Sequence, residues 1–372
     1  MPEFGEVKIN YFIALLSGLW LAHAPNAQPA WQDGRFQKTA LNPILGPDSQ
    51  YVFYCPVQKK EVRWQKADLF NPAAIVRSGK VYLLYRAEDN PAAALGGRTS
   101  RIGLAWSDDG IHFTKGDKPV LYPDQDAFRE FDYPGGCEDP RVVETPDGRY
   151  VMAYTSWNGK TARLSIAISD NLENWVKKGP AFHRAYEGKF RDLWSKSGSI
   201  ITQWKNGKFV AWKHEGKYWM YWGEHFINLA WSEDLANWYP SVDSKGELIE
   251  IVKTRPGKFD SDLTECGPPA ILTSKGIVLL YNGKNANGDK ADSSIPQGSY
   301  TVGEIVFDPA NPSRVLQRSD KPFLQPSLPH ESTGQYKAGT TFAEGLVYFN
   351  NRWFLYYGTA DSFVGLAVKD LK

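Results

Sequence analysis

Cysteine is scarce in this chain of 372 residues, which holds only Cys55, Cys137 and Cys266. An odd number cannot all pair internally, and their spacing matches no metal-ligand pattern. A disulfide scaffold and a zinc site are therefore both disfavoured. Net charge is equally scant: 43 basic and 42 acidic residues leave +1, without the basic excess that binding a phosphate backbone requires, so no nucleic-acid partner is expected. Beyond the N-terminal region, no apolar run approaches the roughly 20 residues of a membrane helix, so no membrane span is expected. Long stretches of helical periodicity are missing as well. Period-2 alternation and short apolar runs dominate, the signature of an all-β chain. The acidic turns "SDDG", "SDNLENW" and "SEDLANW" lack the spaced ligands and closing Glu of a calcium loop and read as hairpin turns locked by the Trp. No metal and no cofactor is expected.

Aromatic residues, in contrast, are abundant, at 14% of the chain with 14 Trp and 19 Tyr. That exceeds what a core alone needs, and flat rings also stack on the apolar faces of sugars. The stretch "INYFIALLSGLWLAHAPNA", residues 9–27, has a short apolar centre followed by the small residues Ala22, Ala24 and Ala27. It reads as a secretory signal peptide occupying residues 1–27, so an exported protein, periplasmic or extracellular, is expected.

A repeat lies within the strands. "NPAAIVRSGKVYLLYRAED" from Asn71, "EDPRVVETPDGRYVMAYTSW" from Glu138, "KSGSIITQWKNGKFVAWKHEGKYWMYWGE" from Lys196, "ECGPPAILTSKGIVLLYNGK" from Glu265 and "TTFAEGLVYFNNRWFLYYGTAD" from Thr340 share one plan. Each is a strand, a turn bearing Gly or Asn, and a second strand ending near a Tyr. Repeated antiparallel sheets of this kind, set radially, make a β-propeller. The expectation is a five-bladed β-propeller over residues 65–372, with residues 28–64 as an N-terminal extension packed on it. A β-sandwich with a small second domain is the alternative architecture.

In a propeller, the start of strand one and the end of strand two of every blade meet at one mouth of the central channel. Asn71, Arg86, Asp89, Glu138, Asp139, Arg141, Lys196, Glu224, Glu265 and Asp361 would then converge from five separate units; a sandwich would scatter them. Several acids in one cleft with arginines and tryptophans suggest glycoside cleavage. One carboxylic acid protonates the departing oxygen, and a second carboxylate activates the attacking species. The competing bland readings are surface acids, channel salt bridges in which Arg86, Arg101 and Lys196 only neutralise acids, and core roles for Trp157 and Trp222. His225 is expected to satisfy a local hydrogen bond.

The motifs "NPA", "YRAED", "SRIGLAWSDDGIHF", "GCEDPRV", "WSKSGSI", "KYWMYWGE", "ECGPP" and "YYGTAD" together resemble glycoside hydrolase family 130, over roughly residues 65 to 370. The resemblance implies action on β-mannosides by a five-bladed propeller. Some members of that family are phosphorylases that release mannose 1-phosphate; others are hydrolases of β-1,2-mannosidic bonds. Phosphorylases present a cluster of cations to the anomeric carbon, whereas hydrolases present glutamates. Glu224 and Glu265 stand where the hydrolases would place that pair. By the same resemblance Asp139 is the general acid, passing its proton through a sugar hydroxyl. Asn71, Arg86, Asp89, Arg101, Glu138, Arg141, Lys196 and Asp361 are the expected substrate-binding residues. The expected substrate is a β-1,2-linked manno-oligosaccharide or glycan, hydrolysed with inversion; phosphorolysis on the same scaffold is the alternative.

Overall fold

The computed structural model describes residues 1–2, 28–31, 36–93 and 97–370. The apolar segment 9–27, read as a signal peptide, lies outside the described residues. Among these residues the chain is nearly all β, with one four-residue α-helix at Arg129–Asp132 and three short 3-10 turns. No helix among them is long and apolar enough to cross a membrane.

Short two-residue turns build the hairpins. Ser78–Gly79, Asn206–Gly207, Glu215–Gly216 and Asn350–Asn351 all have φ between 47° and 82° at both positions. That is the left-handed geometry that matches the twist of the flanking strands, and it draws Gly and Asn. The strands so joined form antiparallel runs in chain order. Asp68–Arg77, Lys80–Glu88 and Ser100–Ser107 make the first. Gly136–Glu144, Tyr150–Trp157, Ala162–Ser169 and Trp175–Pro180 make the second. Ser199–Ile200, Lys217–Trp222, Ile227–Ser232 and Tyr239–Pro240 make the third. In the fourth, Leu263–Cys266 and Ile271–Thr273 both pair with Gly276–Lys284, which continues to Tyr300–Asp308 and Asn311–Arg318. The last run, Phe342–Phe349, Arg352–Thr359 and Phe363–Asp370, takes its outer strand from the other end of the chain, Gln37–Lys38. The acidic turns are pinned by their own side chains: Trp175 Nε1 donates to the Leu172 carbonyl at 2.8 Å and Trp238 Nε1 to the Leu235 carbonyl at 3.1 Å.

Apolar faces of consecutive runs pack on each other. Leu84 and Ile102 of the first meet Val142 and Met152 of the second; Val151 and Ile166 of the second meet Met220 and Ala230 of the third. Tyr221 of the third stacks on Phe307 of the fourth at 4.3 Å and 21°, a geometry worth about 0.5–1.5 kcal/mol beyond simple burial. Val278 and Leu280 of the fourth meet Trp353 and Leu355 of the last. The series returns on itself, because Phe354 and Leu366 of the last run share a cluster with Leu83 and Tyr85 of the first. The segment before the first run joins this packing: Phe53 and Trp64 lie in that same cluster, and Trp31 sits edge-on to Trp353 at 5.1 Å. The first strands of the first, second and last runs pack on one another along a common axis, with loops at its two ends.

Candidate active site

The polar end of that axis is shaped by interruptions in the strand ladders. Register shifts occur between Phe70 and Pro72, between Glu138 and Arg141, and between Ala343 and Gly345. Bulges of this kind insert unpaired residues and re-aim their side chains. Asn71 and Asp139, the residues put out of register in the first two runs, have φ of 48°, a conformation that Asn and Asp tolerate best among non-glycine residues. Each is followed by a proline, which has no N–H to give to the ladder. The two side chains meet: Asn71 Nδ2 donates to Asp139 Oδ1 at 2.8 Å. Close approach at this point demands a glycine on the neighbouring strand, since a Cβ at Gly358 would stand 1.9 Å from Asn71 Oδ1.

Around this pair lies a cavity of about 970 Å³. Asn71, Arg86, Glu138, Asp139, Lys196, Glu224, Glu265 and Asp361 all line it, with Trp157, Trp194, Tyr300, Tyr336 and Phe342 as aromatic walls. The opposite end of the axis holds a smaller cavity of about 540 Å³ bordered by Ile75, Val142, Thr202, Ile271 and Val347. Its charged lining residues, Glu144 and Lys208, pair with each other, so the uncompensated acids are gathered at the other end.

Two cations organise the acids. Arg86 is shared by Glu88 at 2.7 Å, Glu138 at 2.9 Å and Asp139 at 3.2 Å. Burial pushes Glu138 up to about 7 against the pull of Arg86. Burial also raises Asp139, but Arg86, Lys196 and the Asn71 amide outweigh it and hold that carboxyl down at about 2. Two carboxyls that share one guanidinium titrate as a unit, and burial leaves that unit with one proton toward neutral pH. Asp361, half-buried, is pushed up by desolvation to about 6. On the far side Lys196 Nζ stands 4.0 Å from Asp139 Oδ2 and 3.6 Å from Glu224 Oε1. Laid end to end, those distances keep Asp139 and Glu224 below the roughly 9.5 Å ceiling for an acid and base that act across a water.

The two glutamates differ. Burial raises Glu224, but Lys196, the Trp194 indole and His225 outweigh it and hold it below the ordinary glutamate value; Trp194 Nε1 donates to its Oε2 at 2.8 Å. Glu265 is more deeply buried and is pushed up to about 7 despite Lys196, with the Ser197 hydroxyl donating to it. Near neutral pH Glu224 is the anion, and Glu265 is the one that retains its proton more readily.

Three expected substrate contacts do not line the cavity. Arg101 is fully buried and committed to Asp89 at 2.9 Å, the Thr99 carbonyl and the Phe53 ring, which removes both Arg101 and Asp89 from the cavity wall. Arg141 is buried beneath it, bonded to backbone carbonyls. Trp222 is a core residue packed on Phe182 at 4.6 Å, and His225 lies in the adjoining cleft beside Glu224. Sequence reasoning missed Trp194, Ser197 and Glu344. Trp194 and Ser197 flank Lys196 within "WSKSGSI", and Glu344 holds the place in the last unit that Asn71 and Asp139 hold in theirs; alignment of the units at strand one was the available signal.

Similarity to known proteins agrees with this geometry. The sequence profile of glycoside hydrolase family 130, described as beta-1,4-mannooligosaccharide phosphorylase, matches residues 37–372. A 1,2-beta-oligomannan phosphorylase of Thermoanaerobacter sp. (strain X514) is 33% identical over 318 residues, covering 84% of this chain and 94% of the relative. A glycosyl hydrolase from Bacteroides ovatus of known structure superposes with a TM-score of 0.89 at 50% identity, covering 93% of this chain and 96% of that one. Another solved structure has a TM-score of 0.90 at 50% identity, covering 93% and 96% respectively. It is described by the finding that the GH130 family of mannoside phosphorylases contains glycoside hydrolases that target beta-1,2 mannosidic linkages in Candida mannan. This chain belongs to glycoside hydrolase family 130.

Proposed function

We propose that the chain is a five-bladed β-propeller that hydrolyses β-1,2-linked manno-oligosaccharides or glycans with inversion, releasing mannose. The five blades rest on the five antiparallel runs and on the core shared between the last and the first. The observation that carries the hydrolytic reading is the charge of the cavity wall. Its lining holds two cations, Arg86 and Lys196, and both are already engaged by carboxylates, against five acids, Glu138, Asp139, Glu224, Glu265 and Asp361. A phosphate dianion would meet like charge and find no uncommitted cation there; a neutral water meets an acceptor. The 50%-identical structure described through hydrolases of β-1,2-mannosidic linkages supports the same direction.

In this mechanism the glycosidic C1–O bond breaks as the leaving oxygen takes the one proton held by the Glu138–Asp139 pair, delivered from Asp139 by way of a sugar hydroxyl. A water oxygen bonds to C1 from the opposite face, and its proton passes to Glu224. Glu265, with Ser197, orients that water. Asn71, Arg86, Lys196 and Asp361 bind hydroxyls of the terminal mannose, and Trp194, 48% exposed at the rim, offers a face to the next sugar. The reading includes export directed by residues 1–27 and an extension at 28–64 lying on the propeller; N-terminal sequencing of the secreted form checks both the cleavage and its position.

The deciding experiment is proton NMR of β-1,2-mannobiose digests with and without inorganic phosphate. Free mannose at a rate independent of phosphate is expected, with the α-anomer formed first. Mannose 1-phosphate formed only with phosphate would establish the alternative, which the description of the matching family and the Thermoanaerobacter relative favour.

The pH profile follows from the charge states. Activity needs one proton on the Glu138–Asp139 pair, so kcat/KM should fall as pH rises through about 7. It also needs Glu224 ionised, so the acid limb should lie below the ordinary glutamate value of 4.5. An acid limb near 7 would instead mark Glu265 as the base.

A further inference from the structure

Arg141 and Glu344 form a fully buried pair that the mechanism above does not use. Arg141 is one of the largest side chains with almost no exposure, and Glu344 has none. The guanidinium spends its donors on backbone. Its Nη1 donates to the Asp139 carbonyl at 3.0 Å, its Nε to the Gly267 carbonyl at 3.0 Å, and its Nη2 to the Cys266 carbonyl at 2.9 Å. Asp139 is the residue of the proposed acid, and Cys266 directly follows Glu265. One rigid planar group thus ties together two segments more than a hundred residues apart, each carrying a carboxyl of the cavity. Glu344 Oε1 closes the fork from the side, 3.1 Å from Nη2, and neither of its oxygens finds a well-directed hydrogen bond. Glu344 is itself the out-of-register residue of the last run. The Phe342 ring lies 6.0 Å from the guanidinium on the cavity side, which keeps Arg141 away from any substrate.

We infer that Arg141, steadied by Glu344, is a positioning residue that sets the separation between the Asp139 carboxyl and the Glu265 side of the cavity. It touches no reacting atom. The inference rests on the roles proposed for Asp139 and the glutamates. Its physical basis is the fork: five fixed donors can hold three carbonyls in one plane, and a lysine ammonium cannot. Misplacement of an acid and base by about 1 Å costs on the order of 10²-fold in rate.

The test is steady-state kinetics on β-1,2-mannobiose with melting temperatures measured alongside. Arg141→Lys keeps the charge and loses the fork, so kcat should fall about 10²-fold while KM changes by no more than about threefold, the mark of an interaction realised in the transition state. The pH limbs of this variant should stay in place. Arg141→Met removes a cation that lowers Asp139, so the alkaline limb set by the Glu138–Asp139 pair should move to higher pH while the acid limb set by Glu224 stays in place. Burial raises the Glu344 carboxyl well above its ordinary value, so Gln would mimic it; Glu344→Ala, which takes away the side chain beside Nη2, should lower kcat about tenfold, again with KM held. A kcat for Arg141→Lys close to that of the unaltered enzyme, or a loss seated in KM, overturns the inference. If Arg141→Lys does not fold, Glu344→Ala with an unaltered melting temperature decides it, and a kcat close to that of the unaltered enzyme there is equally fatal. The parent reading fails separately, when Asp139→Asn or Glu224→Gln stays active whatever Arg141 does.

Discussion

Asp139→Asn is expected to lower kcat on β-1,2-mannobiose by about 10²–10⁴-fold, the span associated with loss of a general acid. The substitution is nearly isosteric. The amide oxygen can still accept from Asn71 Nδ2, and Arg86 retains Glu88 and Glu138 as partners, so no buried cation is stranded. What disappears is the one carboxyl that Arg86, Asn71 and Lys196 jointly hold at the centre of the cavity. Removing that negative neighbour should also lower Glu138, because Asp139 is one of the charges that raise it. The measurement is mannose release against a thermal melt of the same preparation. Activity within tenfold of the unaltered enzyme would remove Asp139 from the mechanism; a melting temperature that falls in step with activity would make its role structural.

Glu224→Gln carries the second large effect, also about 10²–10⁴-fold in kcat. Glutamine can keep the Trp194 N–H as a donor to its side-chain oxygen, and Lys196 remains near Asp139, so the cavity keeps its shape. Only the capacity to take a proton from water is lost. Glu265→Gln should cost less, on the order of tenfold, since Glu265 already holds a proton for much of the time near neutral pH and glutamine resembles that form in shape and charge. The opposite ranking of the two variants would exchange their roles. The acid limb of the native pH profile must then lie near 7, so the two measurements check one another.

These ionisation states could not be read along the chain. Nothing in the neighbouring sequences, "YWGEHF" and "DLTECG", tells Glu224 and Glu265 apart. They separate because the Trp194 N–H and the Lys196 ion pair outweigh burial at one, while deeper burial outweighs Lys196 and the Ser197 hydroxyl at the other. The same holds for the arginines. Arg86 lies near the end of the second strand of its unit and Arg141 in the first strand of the next, yet one lines the cavity and the other is buried beside Phe342. Asp89 reads as a sugar ligand until Arg101 is seen to occupy it.

The amino-acid order by itself determined the β character, the recurring hairpin unit, the family resemblance and most of the cavity lining. These are local properties: strand alternation has a period of two, the turns need left-handed residues such as Asn350–Asn351, and each unit puts its polar residues at the same point of its first two strands. Only the tertiary structure decided which of those polar groups face the cavity, which are bonded to backbone, and which carry protons. Those outcomes depend on burial and on charges brought within a few ångströms from distant segments, and no linear pattern encodes a distance between runs.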